Sequence, residues 1–559
     1  MKLSLTLSLF ALTSIAAARS PQHVGKRNLP AYENRVRRSF HSPLEEQKKA
    51  KRQSSLIPQT TNTTKFAVDG TAIPDVDFDI GESYAGLLPI SSAANASELY
   101  FWFFPTDNPD GKDDLTIWLN GGPGCSSLEG LLQENGPFIW QYGTFKPVKN
   151  PYTWVNLTNM VWVEQPVGTG FSQGTTRETN EEEVAEHFLG FFKNFVDTFG
   201  LHGKTIHISG ESYAGYYVPY IADAMINAKD TTYFDIHSIM IHDPSTSYNA
   251  VQEQIPVVPL VDANKNLFNL NATTLDYIHS KHESCGYAAF LDEWLQFPPP
   301  GVMPHPPGPT ENDTSCDLWD YILNAALETN PCFDIYQIAT TCPVLWDVLG
   351  FPGSFDYLPA GAQIYFNRSD VQKAINAPAM EWEECTNGVL DTDTSLQSGL
   401  SVLPHVIENL DRTIIAHGNL DYILIANGTL LMIQNMTFNG AQGFSSVPSD
   451  PFFVPYHSEL SDGTLAAAGV MGTTHTERGL TWVEVALSGH MIPQYQPSAS
   501  YRTVEYMLGR IDSLTEVSDF TTQTGDFGND ASLLLGNGGI GSDFGGNKTK
   551  RMNRRGHFY

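Results

Sequence analysis

Positive charge is scarce in this chain. Its 559 residues include 32 Lys and Arg against 62 Asp and Glu, a formal net charge of −30 at pH 7. Such an acidic surface repels phosphate, so we expect no binding to nucleic acid. Without residues 1–52, which are rich in Lys and Arg, 21 basic and 59 acidic residues remain and the formal charge is −38. This composition favours a protein that works at low pH, where part of the charge is neutralised.

Long apolar runs are also missing after residue 18. No later segment approaches 18 uninterrupted apolar residues, so we predict no membrane span. Residues 1–18 combine a basic start, an apolar middle and a final Ala-Ala-Ala, which is typical of a secretory signal peptide. Residues 19–52 end in Lys51-Arg52 and are interpreted as a pro-segment that is removed at this dibasic site. A disordered basic N-terminus is the alternative.

Cysteine is rare, with six residues in the chain. Their spacing fits no metal-ligand pattern, so we expect neither a metal site nor another cofactor. Together with nine N-x-S/T sequons, they indicate passage through an oxidising and glycosylating compartment. We therefore predict a secreted protein, with a vacuolar location as the alternative, and leave the oligomeric state open. The sequons are Asn62, Asn95, Asn156, Asn271, Asn312, Asn367, Asn427, Asn435 and Asn547.

Short apolar runs recur between loops and predict strands that are covered on both faces, as in a largely parallel sheet. Helical patterns lie between them, and the phenylalanines of 183–199 recur at three- and four-residue steps, which predicts a buried amphipathic helix. The pattern breaks in 250–400, which holds five of the six cysteines and a proline-rich stretch. We interpret this segment as an inserted cap that divides the sheet domain into 53–249 and 401–525. The glycine-rich, then basic tail at 526–559 is predicted to be disordered. The predicted strands are 99–104, 115–120, 160–165, 205–210, 238–243, 412–418 and 481–489.

The hexapeptide GESYAG occurs twice, at 81–86 and at 210–215. Both copies fit G-x-S-x-G, the strand-turn-helix that carries the nucleophile in α/β-hydrolases. A predicted strand enters the second copy and a helical pattern leaves it, whereas a proline and serines after the first copy stop any helix. We therefore assign Ser212 as the nucleophile and Ser83 as a structural residue in a turn or edge strand. The predicted architecture is an α/β-hydrolase fold: a largely parallel sheet with helices on both faces and a disulfide-stapled cap.

The serine needs a base, and the base needs a carboxylate that holds its tautomer. In this fold the chain order is serine, acid, histidine. Asp421 and His490 each follow a predicted strand, and we assign them as the acid and the base. The sequence leaves Asp393 and Asp411 as alternative acids, and His417, His457 and His475 as alternative bases.

The developing oxyanion needs preorganised donors, and main-chain amides in a glycine loop can supply them. The stretch LNGGPGCSS at 119–127 follows a predicted strand and precedes Ser212 in the chain. We expect the amides of Gly122 and Tyr213 to form the oxyanion hole. The alternative is that this loop is only a tight turn.

Four distinctive stretches follow one another along the chain: WLNGGPGCSSLEG at 118–130, GESYAGYYVP at 210–219, HGNLDYILIANG at 417–428 and GHMIPQYQP at 489–497. Together they resemble the signature motifs of the serine carboxypeptidases, most closely the secreted fungal members. The likeness runs from about residue 65 to about residue 512. It implies an enzyme that releases C-terminal amino acids from peptides and proteins at acidic pH through an acyl-enzyme intermediate.

The resemblance also implies how the substrate is held. The free α-carboxylate of the peptide would be bound by hydrogen bonds, with a proton shared between two glutamic acids. Met491 and the cap would shape the side-chain pockets. Cys125 would pair with Cys385, while Cys285, Cys316, Cys332 and Cys342 allow three pairings. The residues implied in carboxylate binding are Asn120, Gly121, Glu134 and Glu211, with Trp118 near the same network.

The chain departs from the family pattern at two places. Glu129 stands where the family often has threonine, and this additional carboxylate is expected to affect the pH profile. The chain has HDPS at 242–245, where the family tends to have glycine and asparagine, and we expect this change to concern the cap's hinge and not the triad. Two other functions use the same residues: a carboxypeptidase-like acyltransferase or esterase, and a non-catalytic secreted binding protein.

Overall fold

The computed structural model describes residues 55–310, 314–350, 358, 361–456 and 467–523. The predicted signal peptide, pro-segment and C-terminal tail lie outside these residues. The same holds for the sequons at Asn312 and Asn547 and for the alternative base His457.

A sheet of eleven strands forms the centre of the described part of the chain. Its order is β1-β2-β3-β5-β4-β6-β7-β8-β11-β10-β9. The six strands from β5 to β11 in this order run parallel, and the strands outside them pair antiparallel. All seven predicted strands are present, and the prediction of a largely parallel sheet is confirmed. The strands are β1 Ala67–Val68, β2 Ser83–Pro89, β3 Glu98–Phe104, β4 Asp114–Leu119, β5 Asn159–Glu164, β6 Thr205–Glu211, β7 Asp235–His242, β8 Arg412–Gly418, β9 Asp450–Val454, β10 Gly469–Glu477 and β11 Leu480–Val485.

Both faces of the sheet are buried. On β3, Phe101 and Phe103 pack into one core together with the phenylalanines of the helix Glu181–Phe199. Tyr100 and Trp102 point to the other face and join a second core. Because successive side chains alternate between two apolar layers, the strand has no polar face and its sequence is a continuous apolar run.

Helices cover both faces and also fill the connection between β7 and β8. Among the described residues, none of these helices combines the length and apolarity needed to cross a bilayer. The α-helices are Thr61–Thr64, Ser127–Gly130, Glu181–Phe199, Ala214–Ala228, Val257–Ala263, Lys265–Phe268, Ala272–Ser284, Tyr287–Trp294, Leu318–Thr329, Ser369–Ala374, Leu403–Asn409, Ala426–Asn435, Ile492–Tyr495 and Pro497–Met507. Short 3₁₀ turns are Trp154–Asn156, Tyr365–Asn367 and Ser398–Leu400, and π-helical turns are Leu131–Asn135 and Ala250–Gln254. Two-residue ladders pair Phe138–Ile139 with Val148–Lys149 and Thr437–Phe438 with Ala441–Gln442.

The segment interpreted as a cap is helical, and its described residues contain no named strand. Described apolar residues between Val251 and Ile338 form a core of their own, which also takes in Tyr422 from the stretch after β8. Trp382 and Leu390, near the end of the segment, pack instead into the two cores of the sheet. The disulfides are Cys285–Cys316 and Cys332–Cys342 within the helical part, and Cys125–Cys385 between the glycine loop and the end of the segment.

Candidate active site

Ser212 lies in a sharp turn between β6 and the helix Ala214–Ala228. Its φ is 60°, a left-handed conformation that is strained for a residue with a side chain. The N–H of Ser212 donates to the main-chain oxygen of His242 (3.0 Å), which fixes the turn against β7. A Cβ at Gly210 would lie 2.4 Å from the main-chain oxygen of Leu119, so the first glycine of the motif is required by close packing. This is the geometry of a nucleophile elbow.

The first GESYAG copy has a different structure. Ser83 begins β2, where it pairs with Val68 of β1, and no helix follows. Its side chain is buried, and its hydroxyl makes no hydrogen bond to any described residue. The sequence predicted a turn or an edge strand for this copy. It does lie in a strand, but β2 is the second strand of the described sheet, with the two-residue β1 outside it.

Asp421 and His490 follow the adjacent parallel strands β8 and β11, so both lie at the carboxyl edge of the sheet, as Ser212 does. Nδ1 of His490 donates to Oδ2 of Asp421 (2.7 Å). The other carboxylate oxygen accepts the N–H groups of Ile423 (2.9 Å) and Leu424 (3.3 Å). The carboxylate is therefore held on both oxygens, and the imidazole is held in the tautomer that leaves Nε2 free to accept a proton.

The imidazole of His490 is buried, and Nε2 makes no hydrogen bond to any described residue, Ser212 included. A serine–histidine hydrogen bond that is absent without substrate is common in such sites and tightens in the Michaelis complex. Burial alone would lower the pKa of His490, but Asp421, Glu211 and Glu129 outweigh it and raise this pKa above its ordinary value.

The alternative acids and bases have other partners. Asp411 is exposed and contacts a histidine at the start of β7. Asp393 accepts a hydrogen bond from the hydroxyl of Tyr213 (2.5 Å) and so holds that side chain in place. His475 contacts a glutamate of its own strand (3.2 Å), and the Nε2–H of His417 is donated to a main-chain carbonyl (2.8 Å).

The glycine loop lies against the elbow. A Cβ at Gly121 would lie 2.4 Å from the main-chain nitrogen of Tyr213 and 2.8 Å from Cβ of Ser212, so only glycine allows this approach. Gly122 has φ of 107°, and neither its amide nor that of Tyr213 donates to another group in the described part of the chain. The disulfide of Cys125 ties this loop to residue 385. Both amides thus remain available as donors for an oxyanion.

Three buried glutamates gather beside the elbow. Glu129, Glu134 and Glu211 each place one carboxylate oxygen within 4.8 Å of the other two. Oδ1 of Asn120 accepts the indole N–H of Trp118 (2.7 Å), so the amide nitrogen of Asn120 must face the acids. It donates to Glu129 (2.5 Å) and to Glu211 (2.9 Å). Hydrogen bonds therefore join Trp118, Asn120 and Glu211, which the resemblance implied for carboxylate binding, and Glu129 is part of this network. Glu134 lies beside these acids, and Gly121 lies in the adjoining glycine loop.

These carboxyl groups retain protons well above the usual range. Burial raises the pKa of Glu129 to about 7. Burial, followed by the charge of Glu129, raises the pKa of Glu211 to about 8. Burial and the charges of Glu211 and Glu129 raise the pKa of Glu134 well above its usual range. At acidic pH the cluster is therefore largely neutral and can donate hydrogen bonds.

Within the described ranges, two groups of three side chains are close enough to hold a cation: the glutamate cluster, and Asp243 with His417 and Asp421. In each group an N–H already donates to a carboxylate oxygen, from Asn120 in the first and from His490 in the second. Hydrogen bonding thus explains both arrangements, and the absence of a metal site stays a prediction.

Two residues of the site carried no signal in the sequence. The main-chain oxygen of Tyr336 accepts the N–H of His490 (2.8 Å), and its ring lies 5.3 Å from the imidazole, centroid to centroid. Asp347 is buried and accepts a hydrogen bond from Gln133 (2.7 Å) beside the glutamates. Both lie in irregular stretches between β7 and β8, where no motif or periodicity marks a position. Met491, which was expected to shape a pocket, is buried directly after His490.

The family model for serine carboxypeptidases matches residues 74–510. The chain belongs to the serine carboxypeptidase family. The chain is a serine carboxypeptidase, and its similarity to relatives with that name covers most of its length. A probable serine carboxypeptidase of Arthroderma benhamiae is 57% identical over 91% of this chain and 98% of its own length. The serine-type carboxypeptidase F of Aspergillus niger is 46% identical over 89% of this chain and 94% of its own.

A solved structure supports the fold of this serine carboxypeptidase. The prohormone-processing carboxypeptidase Kex1 of Saccharomyces cerevisiae aligns with a TM-score of 0.62, covering 81% of this chain and 98% of its own, at 24% identity. The predicted α/β-hydrolase fold with its disulfides is thereby confirmed.

Proposed function

We propose that this serine carboxypeptidase cleaves through an acyl-enzyme formed on Ser212. His490 accepts the hydroxyl proton at Nε2 as Ser212 attacks the last peptide carbonyl, and Asp421 stabilises the imidazolium through Nδ1. The amides of Gly122 and Tyr213 bind the oxyanion. His490 then gives its proton to the leaving amino acid and later activates the water that hydrolyses the acyl-enzyme. The observation that carries this proposal is the strained elbow at Ser212 together with the His490–Asp421 hydrogen bond at the same edge of the sheet.

The glutamate cluster explains why such a site would act at a C-terminus. A peptide's free carboxylate needs donors, and the described site offers the amide of Asn120, the main chain of Gly121 and the protons held by Glu134 and Glu211. An ionised cluster would repel the same carboxylate. Acidic pH, which keeps the cluster neutral, also removes the glutamate charges that raise the pKa of His490. The imidazole can therefore act as a base at lower pH than it could beside an ionised cluster.

Blocking the substrate's C-terminus tests this proposal. We expect a peptide amide to be cleaved with kcat/KM about 10²- to 10³-fold lower than the free acid below pH 6, because two hydrogen bonds to a charged group are lost. The KM for the free acid should rise as pH passes through about 7 to 8, where Glu129 and Glu211 ionise. Mass spectrometry of peptide ladders between pH 3 and 8 measures both effects.

The same assay identifies the competing activities. Equal turnover of amide and free acid would favour an esterase or acyltransferase site without carboxylate recognition. Internal fragments in place of C-terminal ladders would show endopeptidase cleavage and contradict the proposal.

Replacing Glu129 tests its effect on the cluster. In Glu129→Gln the hydrogen bond from Asn120 is kept, but the charge that raises the pKa values of Glu134 and Glu211 is lost. We expect these acids to ionise at lower pH, so that the rise in KM for free-acid peptides begins at lower pH than in the parent. Steady-state KM between pH 4 and 9 measures the shift. Glu182→Gln, at an exposed position of the helix Glu181–Phe199, is the control, and an unmoved profile in Glu129→Gln would contradict the role of this charge.

We also propose that the protein is secreted and glycosylated, with the vacuole as the alternative location. Of the sequons in the described residues, Asn62, Asn95 and Asn271 are exposed and suited to carry a glycan. The others are partly buried, and both polar atoms of the Asn367 side chain bond to the main chain of Trp382. The partly buried sequons are Asn156, Asn367, Asn427 and Asn435.

A further inference from the structure

Asp243 is a fully buried carboxyl group directly beside the triad acid. It follows β7, its N–H donates to the main-chain oxygen of Ala416 (2.8 Å), and its Oδ1 accepts the N–H of Gly418 (2.8 Å). One oxygen of Asp243, one of Asp421 and one nitrogen of His417 lie within 4.8 Å of one another. The HDPS departure was expected to concern the cap's hinge, which stays a prediction, but its aspartate lies beside the triad acid.

Among the described residues, the possible positive partner of this pair is His490, which bonds Asp421. The Nε2–H of His417 is donated to the main-chain oxygen of Leu424 (2.8 Å), and burial lowers the pKa of this imidazole to about 4, so it is neutral. Burial likewise lowers the pKa of His242, next in the chain, to about 3. Two carboxylates so close together in a buried site repel each other, and one of them keeps its proton.

The hydrogen bonds show which carboxyl group is the charged one. Asp421 accepts three, from Nδ1 of His490 and from the N–H groups of Ile423 and Leu424. Asp243 accepts one from a main-chain N–H, and no donor of the described residues reaches its Oδ2. An oxygen without a donor, beside a carboxylate, suits a carboxyl group that itself carries the proton.

We propose that Asp243 is a positioning residue of the triad, which keeps its proton and donates it as a hydrogen bond to the Asp421 carboxylate. This bond would fix the orientation of Asp421 toward His490, and the inference rests on the triad proposed above. Burial and the negative charges of Asp421 and Glu211 raise the pKa of Asp243 well above its usual range, which agrees with a retained proton.

Two variants test whether Asp243 is a neutral hydrogen-bond donor or a charged neighbour of Asp421. Asp243→Asn keeps a donor, so we expect kcat/KM within about threefold of the parent and an unchanged acidic limb of its pH profile, which reports His490. Asp243→Ala removes the donor, and we expect kcat/KM to fall about 10- to 100-fold, as for a hydrogen bond to a charged group. Without this hydrogen bond, the negative charge of Asp421 is less dispersed and stabilises the protonated imidazole of His490 more strongly. The pKa of His490 then rises, so the acidic limb of the kcat/KM profile of Asp243→Ala should move to higher pH.

The controls distinguish this proposal from a loss of structure and from a wrong triad. Asp75 is exposed and has a left-handed backbone (φ of 63°), as Asp243 does (φ of 44°), and Asp75→Ala should leave the pH profile unmoved. An acidic limb that moves to lower pH in Asp243→Asn would show that Asp243 is ionised and overturn the proposal. So would an Asp243→Ala variant that matches the Asp75→Ala control in kcat/KM and pH profile. If Asp243→Ala fails to fold, the profile of Asp243→Asn still decides. Activity retained in Ser212→Ala would instead refute the triad itself.

Discussion

Ser212→Ala is expected to lower kcat on peptide substrates by on the order of 10⁶-fold, because removal of a serine nucleophile leaves only binding and oxyanion stabilisation. The same change should abolish covalent labelling by an organophosphonate. Single-turnover kinetics and intact mass spectrometry after labelling measure the two effects. A protein that is never labelled would instead support the non-catalytic alternative.

The duplicated hexapeptide provides a matched control. Ser83→Ala alters the same GESYAG sequence in β2, where the hydroxyl makes no hydrogen bond to any described residue. We expect its kcat/KM to stay within about twofold of the parent, as for a substitution that breaks no contact. A large loss in Ser83→Ala with retained activity in Ser212→Ala would reverse the assignment of the two copies.

Asp421→Asn is expected to lower kcat/KM by about 10⁴-fold while leaving the fold intact. An asparagine amide can donate to Nδ1 of His490, which moves the imidazole proton to Nε2, and that nitrogen can then no longer accept the proton of Ser212. Steady-state kinetics, with circular dichroism to check the fold, measure this loss. Asp411→Asn removes the charge of the exposed alternative acid and should have no such effect. A similar loss in both variants would mean that the effect is not specific to the triad.

The central strands and the elbow could be predicted because burial on both faces leaves a strong signal. In β3, for example, every residue that packs into either of the two cores is apolar. The antiparallel strands β9 and β10 were not predicted, because their exposed and buried positions mix without a continuous apolar run. Local sequence describes the inside of a sheet better than its edges.

The polar part of the site was only partly predictable. Glu134 and Glu211 came from the resemblance, and the π-helical turn Leu131–Asn135 places Glu134 beside Glu129 in a way that no helical periodicity indicates. Asp243 lies in the HDPS departure from the family pattern, but its proximity to Asp421 depends on the pairing of β7 with β8, some 170 residues apart in the chain. Such contacts follow from strand order, which a single sequence does not contain.

The disulfide between Cys125 and Cys385 makes a covalent ring of everything between these two residues, including Ser212 and the helical insertion. A protease that cuts the chain once inside this ring cannot release either part, since the bridge still joins the two pieces. A molecule matured by such a cut would migrate as one species until a thiol reagent is added, and as two afterwards. Loops of the insertion can therefore be opened or trimmed without separating the nucleophile from its histidine.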